Sequence, residues 1–241
     1  VIRADIFLVD NGYYTSRARA QAAIKAGLVT VDGRRLKKPS EKLNDAALIQ
    51  ARDIHPWVGR GGVKLAHGLQ KFSVDPKNKI CLDIGASTGG FSDVLNQNGA
   101  KIIYAVDVGE KQLHPTLQNL PNIISMEKTD ARNLKASAFI APPQLIVCDA
   151  SFISAAKVLK CPLALSANHA ELITLVKPQF EVGKAGLGRG GIVRSKSLAL
   201  QALSSVERWI TAQGWKVIET IDSPIKGGNG NHEYLLYARN F

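Results

Sequence analysis

This sequence predicts an α/β fold: a mostly parallel sheet with an antiparallel final strand, preceded by a small α+β unit. Three observations carry the prediction. Strand-length apolar runs alternate with helix-spaced segments from Lys79 to the C-terminus. One run, Ile80 to Ile84, passes directly into a glycine-rich turn that opens an amphipathic segment. The first sixty residues differ in composition, holding 11 Lys and Arg against 6 Asp and Glu.

The stretch Lys79-Ile-Cys-Leu-Asp83-Ile-Gly85-Ala86-Ser87-Thr88-Gly89-Gly90-Phe91 reads as strand, turn and helix. Phe91, Val94, Leu95 and Asn98 fall at helical spacing, and Gly99 supplies the stop. At the carboxyl end of a parallel strand, such a turn is where open α/β sheets bind nucleotides. The spacing is G-x-x-x-G-G rather than the G-x-G-x-x-G of dinucleotide enzymes, and no triphosphate-binding G-x-x-x-x-G-K-[ST] occurs. A tight turn with no ligand needs glycines as well. The next strand, Lys101 to Asp107, adds a carboxylate at the separation expected for an acid gripping a ribose diol. A third run, Asn122 to Met126, leads to Thr129-Asp130-Ala131, whose acid suits an adenine amino group. Candidate cofactor-binding residues are therefore Asp83, Gly85, Ala86, Ser87, Thr88, Gly89, Gly90, Phe91, Asp107, Val108, Asp130 and Ala131. The segment Asp83 to Phe91 resembles the first motif of the FtsJ-type RNA 2′-O-methyltransferases. That resemblance implies a Rossmann-like methyltransferase domain, S-adenosylmethionine as cofactor, and Asp107 as the ribose-binding acid.

Alternation continues through Gln144 to Asp149, Glu171 to Lys177, a helix over about 197–212, Trp215 to Ile221 and Glu233 to Ala238. The last two runs are expected to pair antiparallel. Asp149 and Lys177 end strands, Glu233 opens the final one, and Lys64 lies early in a helix from Val63 to Phe72. Singly, each suits a solvated end. As an ordered set, in the contexts Gly-Gly-Val-Lys64-Leu, Cys-Asp149-Ala-Ser, Val-Lys177-Pro-Gln and His-Glu233-Tyr, they resemble the K-D-K-E tetrad of the FtsJ-type enzymes. The resemblance implies that Lys177 takes a proton from a ribose hydroxyl, with Lys64 as a neighbouring cation and Asp149 and Glu233 orienting the amines. Ser151 and Phe152 are candidates to line the target pocket, or simply to cap the next helix. The segment Lys184 to Arg194 is basic and glycine-rich, and reads as a mobile phosphate-gripping loop bearing Arg189, or as a flexible surface loop.

With 241 residues, 45% of them hydrophobic, the chain can bury a substantial core. A formal net charge of +11 points to a polyanionic partner, most often nucleic acid. Cys81, Cys148 and Cys161 lack metal-ligand spacing and read as buried thiols of a reducing compartment, so no metal is expected. No apolar run reaches the roughly 18 residues of a membrane span and no signal peptide is visible, so a cytoplasmic location without a membrane partner is expected. The chain begins at Val1 rather than Met, as it would if a short native N-terminus were missing.

Near the N-terminus, Ser16 suits an N-cap for Arg17 to Ala26, and Gly27 ends that helix. Ala20, Ala23 and Ile24 form its apolar stripe, while Arg17, Gln21 and Lys25 share a face fit for an anion. Leu28 to Val31, the turn Asp32-Gly33 and the basic run Arg34 to Lys38 form a hairpin. The pattern Arg3-x-Asp5-x-x-Leu8, Ser16-Arg17-x-Arg19-Ala20, Ile24-x-x-Gly27-x-Val29-x-Val31-x-Gly33 and Lys38-Pro39-Ser40 resembles the S4 RNA-binding domain. Candidate RNA-binding residues are Arg3, Ser16, Arg17, Arg19, Lys25, Arg34, Lys38 and Arg189. An S4-like domain over 1–55, a linker over 56–62 and a methyltransferase domain over 63–241 are expected, and this order resembles the TlyA family, once called hemolysins. Membership implies 2′-O-methylation of cytidine in small-subunit or large-subunit ribosomal RNA, with the RNA or a ribosomal subunit as partner. The rival readings are a non-catalytic RNA-binding assembly factor and a membrane-active hemolysin.

Overall fold

The computed structural model describes residues 1–14, 16–44 and 46–241, which form two compact units, Val1–Pro56 and Trp57–Phe241. In the first, β1 (Ile2–Arg3) pairs antiparallel with β4 (Lys42–Leu43), and β2 (Val29–Val31) lies between β3 (Arg34–Arg35) and β5 (Ile49–Ala51). Helices α1 (Ala4–Asp10) and α2 (Arg17–Ala26) bury Ala4, Phe7, Leu8, Ala20, Ala23 and Ile24 together with Val29, Val31 and Leu36. The sequence signals explain the boundaries. Ser16 accepts a hydrogen bond from the Arg19 backbone N–H at 3.3 Å, and Gly27 closes α2 in the left-handed region. Positive φ at both Asp32 and Gly33 gives the tight hairpin turn. The third strand, β5, was not anticipated, because Ile49-Gln-Ala51 is too short to show a period.

The second unit is a seven-stranded sheet in the order β11-β12-β10-β9-β6-β7-β8. Its strands are β6 (Ile80–Ile84), β7 (Ile102–Val106), β8 (Ile123–Met126), β9 (Leu145–Cys148), β10 (Glu171–Val176), β11 (Trp215–Asp222) and β12 (Tyr234–Asn240). Strands β6 to β10 are parallel, and β12 runs antiparallel between β10 and β11. Alternate strand residues face two helical layers. Cys81, Ile103, Leu145, Val147 and Ile173 pack with α3 (Gly61–Phe72), α4 (Gly90–Gln97) and α5 (Pro115–Gln118). Leu82, Ile84, Val106, Ile146 and Leu172 pack with α6 (Ala155–Ala164) and α7 (Lys196–Ala212). Strand order reverses between β6 and β9, so their carboxyl ends splay into a crevice. Among the described residues, no helix is long and apolar enough to cross a membrane.

Of the segment read as a linker, residues 57–62 cluster with the second unit. Trp57 and Val58 pack against its core, the Val58 N–H donates to Asp93 of α4 at 2.8 Å, and the Trp57 side chain covers Gly62. Close packing also accounts for two turn glycines. Gly85 has φ +76°, and a Cβ there would stand 2.9 Å from the Ala150 Cα. A Cβ on Gly90 would stand 3.0 Å from the Gly62 backbone nitrogen. Gly85→Ala is therefore expected to cost about 1–3 kcal/mol through left-handed strain and backbone contact. Calorimetry should show the second unit's unfolding midpoint lowered by at least about 2 °C; an unchanged midpoint would contradict the close-approach assignment.

Candidate active site

Four charged side chains meet where the sheet reverses. Lys64 enters from the first turn of α3, Asp149 follows β9, Lys177 follows β10, and Glu233 precedes β12. Lys64 Nζ lies 2.7 Å from Glu233 Oε2 and 3.8 Å from Asp149 Oδ2. Lys177 Nζ lies 2.6 Å from Asp149 Oδ1 and donates to the Asp149 carbonyl at 3.0 Å and to Ser151 Oγ at 2.8 Å. Lys64, Lys177 and Glu233 are buried, each at most 7% exposed. Charges removed from water to this extent persist only when paired. The quartet alternates in sign and sums to zero. Asp149 stands between the Lys64 and Lys177 ammonium groups, and Glu233 holds Lys64 on its other side.

The quartet borders a cavity of about 550 Å³ lined also by Gly61, Ala86, Thr88, Phe91 and Gln179. A second cavity, of about 530 Å³, is lined by Asp107, Val108, Gly109, Asp130, Ala131 and Ile153. Gly85, Ser87, Asp149, Ser151 and Phe152 line both, so the two form one continuous groove. Each is of ligand size. Asp107 accepts from the Ser87 N–H at 2.8 Å and from the Gly109 N–H at 2.7 Å, which fixes its carboxylate at the edge of the glycine turn. Each oxygen keeps a lone pair for a diol hydroxyl. Asp130 caps the turn that follows it and pairs with Arg132 at 2.6 Å, which holds its carboxyl below the ordinary range. Behind Asp107, Glu127 accepts three backbone N–H groups, from Lys111, Gln112 and Leu113, and so shapes the wall of the second cavity.

The profile of the FtsJ-like methyltransferase family matches residues 57–240, which contain the whole groove. This chain belongs to that family. The S4 domain profile matches residues 2–49. A "16S/23S rRNA (cytidine-2′-O)-methyltransferase TlyA" of Mycobacterium tuberculosis is 39% identical, over 98% of this chain and 89% of that one. "Hemolysin A" of Brachyspira hyodysenteriae is 38% identical, over 98% and 99%. The solved structure of a candidate hemolysin from Streptococcus thermophilus superposes with a TM-score of 0.79 at 37% identity, covering 99% of this chain and 88% of that one.

In this FtsJ-like domain, two residues expected at the cofactor lie elsewhere. Asp83 is fully buried under α4, where its Oδ2 accepts from Ser92 Oγ at 2.6 Å. Gly89 is buried against Leu113 and Leu117. Neither lines the groove. Asp83 shares its strand parity with Cys81 on the α4 side, a signal present in the sequence. The loop carrying Arg189 is also more tied than expected. Asn231 accepts from the Val193 N–H and donates to the Gly191 carbonyl, both at 2.9 Å, while Arg189 itself is exposed.

In the S4 domain, the arginines read as an anion-facing set have internal partners. Asp5 is fully buried and pairs with Arg3 at 3.0 Å and Arg17 at 2.9 Å, and Gln21 donates to it at 2.6 Å. Those bonds, led by Arg3, hold the Asp5 carboxyl well below the ordinary carboxylate range. Arg19 pairs with Asp53 at 2.6 Å and donates to the His55 carbonyl at 3.1 Å. Arg34 pairs with Glu41 at 2.9 Å. Arg3, Arg17 and Arg34 remain about half exposed, so each keeps N–H groups toward solvent, whereas the Arg19 side chain is only 14% exposed. Lys25 and Lys38 are exposed.

Desolvation pushes the Asp83 carboxyl up from 3.8 to about 7. The native state then holds a proton that the unfolded state releases between those values, so Asp83 contributes stability below about 4 that is lost as pH rises through about 7. Asp83→Asn should gain on wild type in unfolding midpoint across that window and hold a constant difference above it. A pH-independent difference between the two midpoints would contradict this account of Asp83.

Proposed function

We propose that this chain transfers a methyl group from S-adenosylmethionine to the 2′-oxygen of cytidine in ribosomal RNA. The observation that carries the reading is the ion-paired quartet of Lys64, Asp149, Lys177 and Glu233 at the junction of the two cavities. It is supported by the name of the Mycobacterium tuberculosis relative, by the S4 domain and by the chain's net charge of +11. A ribosomal RNA substrate places the protein in the cytoplasm. Small-subunit RNA, large-subunit RNA, or both are the candidate substrates.

The second cavity fits an adenosyl group. Asp107 is the acceptor for the ribose diol, Asp130 for the adenine amino group, and Val108, Ala131 and Ile153 supply apolar walls. S-adenosylmethionine, when bound, supplies the electrophilic methyl. Lys177 first gives its ammonium proton to solvent and then, as a neutral amine held in place by Asp149 and Ser151, takes the hydroxyl proton at Nζ. Lys64, anchored by Glu233, keeps the Asp149 carboxylate compensated. Phe152 has φ +65°, is 91% exposed at the mouth of both cavities, and lies 5.3 Å from the Phe180 ring centroid. It offers a free aromatic face to an unstacked base.

The test is methyl transfer to ribosomal RNA and to isolated subunits, with the product nucleoside identified by mass spectrometry. Wild type should yield 2′-O-methylcytidine. Lys177→Ala should lower the rate by about 10²–10⁴-fold with RNA and cofactor affinities near wild type. A base-methylated product, or Lys177→Ala activity within a few fold of wild type, would sink the reading.

A further inference from the structure

The loop after β9 carries Asp149, Ser151 and Phe152, and the loop after β10 carries Lys177, Gln179 and Phe180. On the groove side they are joined by the bonds from Lys177 to Asp149 and Ser151 and by the Phe152–Phe180 contact. Away from the groove they are joined again. Glu181 Oε1 accepts from the backbone N–H of Ala155, the first residue of α6, at 2.7 Å. The N-cap Ser154 makes no side-chain cap bond, so a residue of the other loop does the capping. Burial pushes the Glu181 carboxyl up from its ordinary value, against the opposing effect of that N–H. Glu181 and Lys177 also line one void of about 10 Å³, with Cys148, Ala150, Ile153, Ala155, Val158 and Leu175.

We infer that Glu181 is a positioning residue for methyl transfer: by pinning the start of α6 to the Lys177 loop, it sets the Ser151 and Asp149 acceptors that aim Lys177 Nζ. The inference rests on the proposed ribose methylation. The chain from Ser151 to Ser154 is also held by Ile153 against the core and by the Phe152–Phe180 contact, and Glu181 adds the hydrogen bond that ties the start of α6 to the Lys177 loop. A displacement of about 1 Å at a reacting group costs on the order of 10²-fold in rate.

The experiment measures single-turnover methyl transfer for wild type, E181A, E181Q, K177A and K177A/E181A, alongside cofactor affinity and thermal unfolding. E181A should lower the rate about 10–100-fold, with cofactor affinity changed by less than about fivefold. E181Q keeps a carbonyl oxygen for the Ala155 N–H and should recover to within about threefold of wild type. In the K177A background, E181A should cost less than about twofold, because the group it positions is gone. E181A within twofold of wild type, E181Q as impaired as E181A, or an equal loss in the K177A background would each overturn the inference. Wild type without ribose-methylated product contradicts the proposed function, and the inference with it. An active wild type beside an equally active E181A contradicts the inference alone.

Discussion

Four charges meeting at one point of the groove, three buried and Asp149 partly so, constrain the rest of the methyltransferase unit. Lys64, Asp149, Lys177 and Glu233 come from four separate elements, and each neutralises a neighbour within 4 Å. Loss of any one strands a charge in a place that water does not solvate well, which typically costs about 3–5 kcal/mol. The fold must therefore deliver all four together. It does so through topology. Parallel β9 and β10 end side by side, antiparallel β12 begins at that same end, and α3 crosses above with Lys64 in its first turn. Placing β12 antiparallel is what brings Glu233 to the carboxyl end of β10, since a parallel strand would begin at the other end.

Packing around the glycine-rich turn serves the same delivery. Glycines there suggest a ligand against the backbone, yet the space a Cβ would fill at Gly85 and Gly90 is taken by protein: the Asp149–Ala150 backbone at one, the Gly59–Gly62 turn at the other. The first contact fixes the strand end that carries Asp149. The second seats the chain that leads into α3 and Lys64. Asp83 and Ser92 lock the same turn from beneath, with a carboxyl that burial holds near neutrality. The turn thus shapes the Asp107 side of the groove and aligns the side that carries the quartet.

Strands β7, β9 and β10 were legible because each is an apolar run followed by a charged residue, and β6 because its run passes into the glycine-rich turn. The quartet was legible only as an ordered set resembling the FtsJ-type tetrad, since each charged residue taken singly suits a solvated element end. What the sequence hid was depth. Asp83 and Asp107 share pleat parity, since Asp83 pairs with Ala105, but Asp83 lies inside β6 under α4 whereas Asp107 lies just past the end of β7, at the groove. In α2, the spacing of Arg17 and Gln21 pointed to an anion, and the structure supplies one internally, Asp5 of α1. Glu181 carries no motif, since capping a helix from a different loop leaves no local spacing to read.

The division of labour follows from these electrostatics. Arg3, Arg17 and Arg34 of the S4 domain are held by carboxylates and keep N–H groups toward solvent, while the quartet has no excess formal charge to attract a polyanion. RNA affinity and chemistry should therefore separate at a single atom of the substrate. Ribosomal RNA fragments with 2′-deoxycytidine in place of the target cytidine supply the most direct measurement, with binding and methyl incorporation followed on the same samples. Affinity close to that of the ribose substrate, with no methyl incorporated at the target, is the predicted result. Methyl incorporation at the deoxy nucleotide would place the reaction on the base and contradict the role assigned to all four charges.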